Sequence, residues 1–172
     1  SRAVTSAHRG DGQTEIAIRL ALSAAKRVDY RVLLADFDLR RPQMAARLGV
    51  TAKDFTLADV LRGSCRLGEA LTYSEEDNLY ILPARATDRD GDEVLDDRQV
   101  SALFSQLHGV FDFSIIVCGA LDHPDPIITC RHAGVAALAG YWGFSRVGDM
   151  RYAADTLTEA GVKVAGMLLT GA

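Results

Sequence analysis

Short apolar runs and amphipathic stretches alternate along the chain. Ala3-Val4-Thr5 is a short apolar strand, followed by a glycine-containing turn. From Thr14 to Lys26, residues Ile16, Ala17, Leu20, Ala21 and Ala24 recur at helical spacing. Arg31 to Asp36 carries Val32-Leu33-Leu34-Ala35, a run suited to a parallel strand buried on both faces. Pro42 marks a place where a helix can begin. Phe55 to Leu61 and Leu67 to Leu71 read as two short helices around Gly63, and Asn78 to Pro83 as another strand. The polar, acidic stretch from Thr87 to Asp97 reads as a loop entering a helix at Val100 to Leu107. Phe113 to Cys118 is a strand, and Leu121 to Pro126 an irregular proline-containing turn. Ala133 to Tyr141 is a strand of small apolar residues. Asp149 to Ala160 is helical, with Gly161 as its stop before a last strand, Val164 to Leu169.

Alternating strands and helices predict an α/β domain with a mostly parallel sheet. Such sheets bind ligands at the carboxyl ends of their strands, so the turns that follow strands carry the interest. The 172 residues suit a single domain, 1–172. Both ends fall at strands, so a domain excised from a longer chain is expected. With 48% hydrophobic and 24% charged residues the chain is globular in type, which excludes disorder and fibrous classes. Nineteen basic against 23 acidic residues give a net charge of −4, the wrong sign for a broad nucleic-acid footprint. Cys65, Cys118 and Cys130 are odd in number and widely spaced, which fits a reducing compartment better than a disulfide framework. No run approaches ~18 apolar residues, so no membrane span is expected.

The first turn reads Thr5-Ser6-Ala7-His8-Arg9-Gly10-Asp11-Gly12-Gln13-Thr14-Glu15. Strand, glycine turn and helix start are the parts of a phosphate cradle, in which backbone N–H groups and the helix dipole favour an anion. The usual motif adds a lysine for the β/γ-phosphates and a Ser/Thr for Mg²⁺. Here Gln13 stands at the lysine position and Thr14 keeps the hydroxyl. Loss of one charge-assisted hydrogen bond costs about 1.5–3 kcal/mol, or roughly ten- to a hundredfold in affinity. A plain strand–helix turn, with glycines serving geometry alone, remains the competing reading.

The second turn, Val32-Leu33-Leu34-Ala35-Asp36-Phe37-Asp38-Leu39-Arg40-Arg41-Pro42, resembles the Asp-x-Asp-Leu-Arg-x-Pro motif of bacterial tyrosine kinases of the polysaccharide co-polymerase type. These are P-loop NTPases of the MinD/ParA-like class. Further stretches follow that family's order: Thr56 to Gly63, Leu67 to Leu71, Asn78 to Ala84, Phe111 to Val117 and Gly161 to Leu169. The resemblance covers nearly the whole chain and implies a three-layer α/β/α sandwich. It also implies that Gly10, Asp11, Gly12, Gln13, Thr14 and Arg40 form a nucleotide site, and that Thr14, Asp36 and Asp38 could hold Mg²⁺. If the domain is active, Asp36 and Asp38 are its catalytic candidates.

The departures are equally specific. Gln13 replaces the phosphate-loop lysine, and the slot for the Walker B aspartate at the end of the Phe111–Val117 strand is Val117, followed by Cys118. The Thr-Pro-Pro segment that normally follows is replaced by Gly119-Ala120-Leu121, and the asparagine that often ends the last strand is Thr170. The C-terminal tyrosine cluster of the family has no counterpart in this sequence. The sequence therefore reads as a degenerate, inactive kinase-like domain, with no cofactor or weakly bound ATP/ADP and Mg²⁺. Its expected role is regulation or assembly of exopolysaccharide or capsule biosynthesis and export. The resemblance implies a membrane polysaccharide co-polymerase or a related kinase as partner, with homo-oligomers possible in principle. Location would be cytoplasmic, at the inner face of the plasma membrane when held by a partner or by further segments. Two alternatives stay open: an active or weakly active tyrosine autokinase, and a nucleotide-sensing relative of the positioning ATPases.

Other clusters carry less. Arg9, Arg40 and Arg41 could surround an anion, and Asp122 could stand in for the missing carboxylate. Cys118, His123, Cys130 and His132 lack zinc-site spacing. The acidic run Asp88, Asp90, Asp92, Glu93, Asp96 and Asp97 has the wrong order for a calcium loop and reads as a solvated face. Tyr141-Trp142-Gly143-Phe144 is either core or an exposed partner surface.

Overall fold

The computed structural model describes residues 1–51, 54–85 and 95–171. Seven strands form one sheet in the order β3-β4-β2-β5-β1-β6-β7. They are β1 (Arg2–Ser6), β2 (Val32–Asp36), β3 (Thr72–Ser74), β4 (Leu79–Leu82), β5 (Phe113–Ala120), β6 (Val135–Tyr141) and β7 (Lys163–Thr170). Every pairing is parallel except β3 on β4. The helices are α1 (Gln13–Ala25), α2 (Met44–Leu48), α3 (Leu57–Leu61), α4 (Leu67–Ala70), α5 (Asp97–Val110), α6 (Asp125–Ala133) and α7 (Val147–Glu159).

Strand β2 shows why the sheet is covered on both sides. Successive side chains of a strand point to opposite faces. Leu33 and Ala35 join a buried cluster with residues of α3 to α7, while Val32 and Leu34 join a second cluster with α1 and α2. The result is three layers, with the sheet in the middle. Helices α3 and α5 start where the sequence offers acceptors. Asp59 closes a capping box on Thr56, whose N–H it accepts at 2.8 Å, and the Asp96 carboxylate accepts from the amides of Arg98 and Gln99.

Two elements depart from the sequence-based expectation. Strand β3 has only three residues, Thr72-Tyr73-Ser74, too few and too polar to show alternation. The stretch Leu121–Pro126 is not wholly an irregular turn, because α6 begins inside it at Asp125. Pro126 sits in the first turn of α6, where its missing N–H removes no helical bond. Most of the buried face of α6 is Thr129, Cys130 and Ala133, which gives almost no hydrophobic period. Smaller differences are boundary shifts: the helix expected at Pro42 starts at Met44, and that expected at Phe55 starts at Leu57. The acidic loop falls largely at 86–94, outside the described residues; its Asp97 opens α5.

The two edge strands, β3 and β7, are the exceptions to the buried sheet, and β7 is the longer. Met167, Leu168 and Leu169 are all exposed, although consecutive residues face opposite sides. Among the described residues no helix is long and apolar enough to cross a membrane. The contrast between inner and outer strands is measurable. Leu33→Ala, at a fully buried position, should cost about 2–5 kcal/mol in urea unfolding. Leu168→Ala on the open strand should cost less than about 1 kcal/mol.

Candidate functional site

A cleft of about 490 Å³ opens at the carboxyl ends of β1, β2, β5 and β6. Its walls come from the β1–α1 turn, the Phe37–Arg41 turn after β2, Gly119 and Ala120 of β5, and Tyr141 at the end of β6. This is where a parallel sheet is expected to hold a ligand.

The first turn is shaped by two glycines, Gly10 at φ +90° and Gly12 at φ +88°. Gly12 opens α1 from a left-handed conformation, and no side chain caps the helix. The last strand closes over this glycine: a Cβ on Gly12 would overlap Cγ2 of Thr170. The Thr170 hydroxyl donates to Glu15 at 3.5 Å. Asp11 was expected among the ligand-binding residues, but it does not line the cleft. Its Oδ2 accepts from the His8 amide at 2.9 Å and its Oδ1 from the Ser145 hydroxyl at 2.5 Å. Ser145 Oγ in turn accepts from the Tyr141 amide at 2.7 Å. Asp11 therefore fixes the turn to the β6–α7 connection. His8 adds a second tie, with Nε2 3.1 Å from Asp149 on α7.

Gly10, Gly12, Gln13, Thr14 and Arg40 all line the cleft, as does Asp38. Asp36 does not. It is buried at the end of β2, where Oδ1 accepts from the Asp38 amide at 3.1 Å and Oδ2 from the Met44 amide at 3.2 Å. Burial pushes its carboxyl from 3.8 up to about 7; the two backbone N–H groups oppose this, and the charge of Asp38 adds to it. Asp38 Oδ1 accepts from the Arg41 amide at 3.0 Å, and its carboxyl packs against Gly119.

Strand register places Val117 opposite Asp36. Val117 is buried in the apolar cluster under α1, and Cys118 is buried on the other face. Neither supplies a carboxylate. Asp122, further on, is held by Arg9, with Nε 2.7 Å from Oδ2. The residues expected to bind Mg²⁺ thus do not fit a resident cation. Thr14 and Asp38 border the cleft, but Asp36 stands outside its lining with both oxygens on backbone amides. Among the described residues no group of three His, Cys, Asp or Glu side chains could hold a metal ion. Mg²⁺ demands near-ideal octahedral oxygen geometry, and one partly engaged carboxylate is a poor start.

The remaining sequence clusters separate in space. Cys118 and Cys130 meet in the core with Sγ atoms 4.0 Å apart, His132 binds Asp97 at 3.0 Å, and His123 lies against Arg9. Trp142 and Phe144 are exposed, at 62% and 81% of their surface. Three residues of the site carried no signal in sequence. Arg47 and Gln43, on and before the short helix α2, line the cleft, and Ser145 secures the turn. Tyr141 was legible only as one of a group of aromatic residues.

The MinD septum site-determining protein of Guillardia theta is 33% identical over 119 residues, 68% of this chain and 43% of that protein. The tyrosine-protein kinase CpsD of Streptococcus pneumoniae serotype 4 is 26% identical over 172 residues, 96% of this chain and 73% of that protein. The kinase domain of the Escherichia coli tyrosine kinase ETK superposes with a TM-score of 0.89 at 23% identity, over 99% of this chain and 66% of that one. The chain has the fold shared by MinD-type ATPases and bacterial tyrosine kinases, and it is similar in sequence to both. No protein-family model matches it. The chain thus spans less than half of the MinD relative and about three quarters of CpsD. Its homologues include both bacterial tyrosine kinases and MinD-type P-loop ATPases.

The buried Asp36 makes a signed prediction. Its folded pKa of about 7 lies above the ordinary 3.8. Between these values the folded domain holds a proton that the unfolded chain has released, so stability falls as pH rises from about 4 to about 7 and is level above. The full effect is at most about 4 kcal/mol. Asp36→Asn should lose this slope. Its urea stability relative to wild type should therefore improve from pH 5 to pH 8, whatever constant offset the lost acceptor introduces.

Proposed function

We propose that the domain is a degenerate, catalytically silent relative of the bacterial tyrosine kinases, acting in regulation or assembly of exopolysaccharide or capsule biosynthesis and export. The observation that carries this reading is a paired change at the chemical centre. Gln13 stands at the first turn of α1 where the motif has lysine, and buried Val117 stands opposite Asp36 where the motif has aspartate. Phosphoryl transfer depends on cationic and metal stabilisation of charge on the transferred group. The cleft keeps the glycine turn and the helix N-terminus that cradle an anion, without the two side chains that would drive transfer.

In this role the domain works by docking, and a membrane polysaccharide co-polymerase or an active kinase is the partner the resemblance suggests. The domain would then lie in the cytoplasm at the inner membrane face. The second reading, an active autokinase, has one observation in its favour: Asp38 and Thr14 border the same cleft.

The deciding experiment is transfer of labelled phosphate from ATP, with Mg²⁺ present, to the domain itself or to a tyrosine peptide. No transfer is expected. Gln13→Lys should tighten ADP binding about ten- to a hundredfold by restoring a charge-assisted hydrogen bond, still without transfer. Mg²⁺-dependent transfer by the wild-type domain, abolished by Asp38→Asn, would overturn the proposal.

A further inference from the structure

Two polar side chains at the start of α1 have no partner. Gln13 and Thr14 are each 8% exposed, both line the cleft, and neither side chain makes a hydrogen bond among the described residues. Both residues are largely buried, yet their polar atoms are not sealed in the core and stay open to a ligand in the cleft. Both lie beside the first amides of α1, which no side chain caps. Together these groups offer neutral donors at the start of α1, suited to a phosphate.

The charges around that point are sorted in a particular way. Four arginines line the cleft. Arg9 is bound to Asp122 at 2.7 Å and Arg40 to Asp125 at 3.4 Å, so two of them are neutralised. Arg41 has no carboxylate partner among the described residues, and Arg47 reaches only the Gln43 side-chain oxygen, at 3.1 Å. Of the acids along the wall, Glu15 is paired with Arg19 at 2.6 Å. Asp38 alone lacks a cationic partner. The cleft therefore has two arginines free to meet an anion.

In kinase and ATPase sites the phosphates enter with Mg²⁺, which is held by one or two carboxylates and the phosphates themselves. Here the second carboxylate is replaced by buried Val117, and Asp36 is committed to backbone amides outside the cleft. The need for the cation falls together with the means of holding it.

We propose that this cleft binds a phosphate ester without a divalent cation, through the α1 amides, the Gln13 amide, the Thr14 hydroxyl and the guanidinium groups of Arg41 and Arg47. The proposal rests on reading the cleft as a silent descendant of a phosphate-transfer site. It names what such a site still holds: a phosphomonoester or diphosphate, gripped by neutral and arginine donors. The cleft is of a size that accommodates a small ligand beyond its phosphates, with the Tyr141 ring on its wall.

The test is calorimetric titration of ADP, and separately of inorganic pyrophosphate, into the whole chain in Mg²⁺ and in EDTA. The expected result is saturable binding of ADP with a Kd in EDTA within about threefold of that in Mg²⁺. Gln13→Ala should weaken binding in EDTA about three- to tenfold, and Arg41→Ala about ten- to a hundredfold. Arg41 is exposed, so its removal leaves folding intact. Pyrophosphate binding as tightly as ADP would assign recognition to the phosphates alone, and tighter ADP binding would assign part of it to the nucleoside; both support metal-free binding. Binding that disappears or weakens more than about tenfold in EDTA overturns the proposal, as does no binding in either buffer. The outcome is separable from the question of catalysis. A silent domain that needs Mg²⁺ to bind overturns this inference alone, and a metal-free binder that also transfers phosphate overturns only the functional reading.

Discussion

The close approach of Thr170 to Gly12 is the constraint around which the cleft is organised. A glycine at φ +88° with a threonine methyl over the missing Cβ leaves no room for any other residue. This contact joins the first turn of the chain to the end of its last strand. It brings Thr170 to Glu15 and holds the start of α1 open towards the cleft. Asp11 completes the arrangement from the other side by tying the turn to Ser145. The amides of α1 are therefore presented by packing from three parts of the sequence, and not by the glycines alone.

Within that frame the chemistry is a matter of balance. Relative to the motif it resembles, the chain gives up a positive side chain at Gln13 and a negative one at Val117. Either change alone would leave an unbalanced charge in a buried site. Made together they leave a neutral one, which a protein interior tolerates. Asp36 is satisfied within the fold: burial pushes its carboxyl towards protonation, and the Asp38 and Met44 amides meet its two oxygens.

Much of this was legible in sequence because local chemistry dominates there. The runs Val32–Ala35 and Phe113–Cys118 are uniform apolar strands, and the α/β alternation follows from them. The glycine turn and the Asp36–Arg41 stretch revealed the cleft and its resemblance to a known family. What escaped was carried by weak or distant signals. Helix α6 buries threonine and cysteine, which have no hydrophobic period. Strand β3 is fixed by its neighbour β4 and not by its own three residues. The diversion of Asp11 and Asp36 into structural hydrogen bonds depends on partners that only the fold brings near: Ser145 is 134 positions from Asp11. Arg47 and Tyr141 enter the cleft by the same route.

Strand β7 brings a consequence unrelated to the cleft. It ends the sheet, and its outer row of N–H and C=O groups has no strand beside it among the described residues. Met167, Leu168 and Leu169 make that edge apolar on both faces. Protein edges are ordinarily blunted by charge, proline or a bulge near the centre of the strand; here Lys163 and the register shift lie at the start of β7, away from the apolar end. Such an edge is a template for any extended chain. A lysine in place of Leu168 would put a charge on that edge and weaken such pairing.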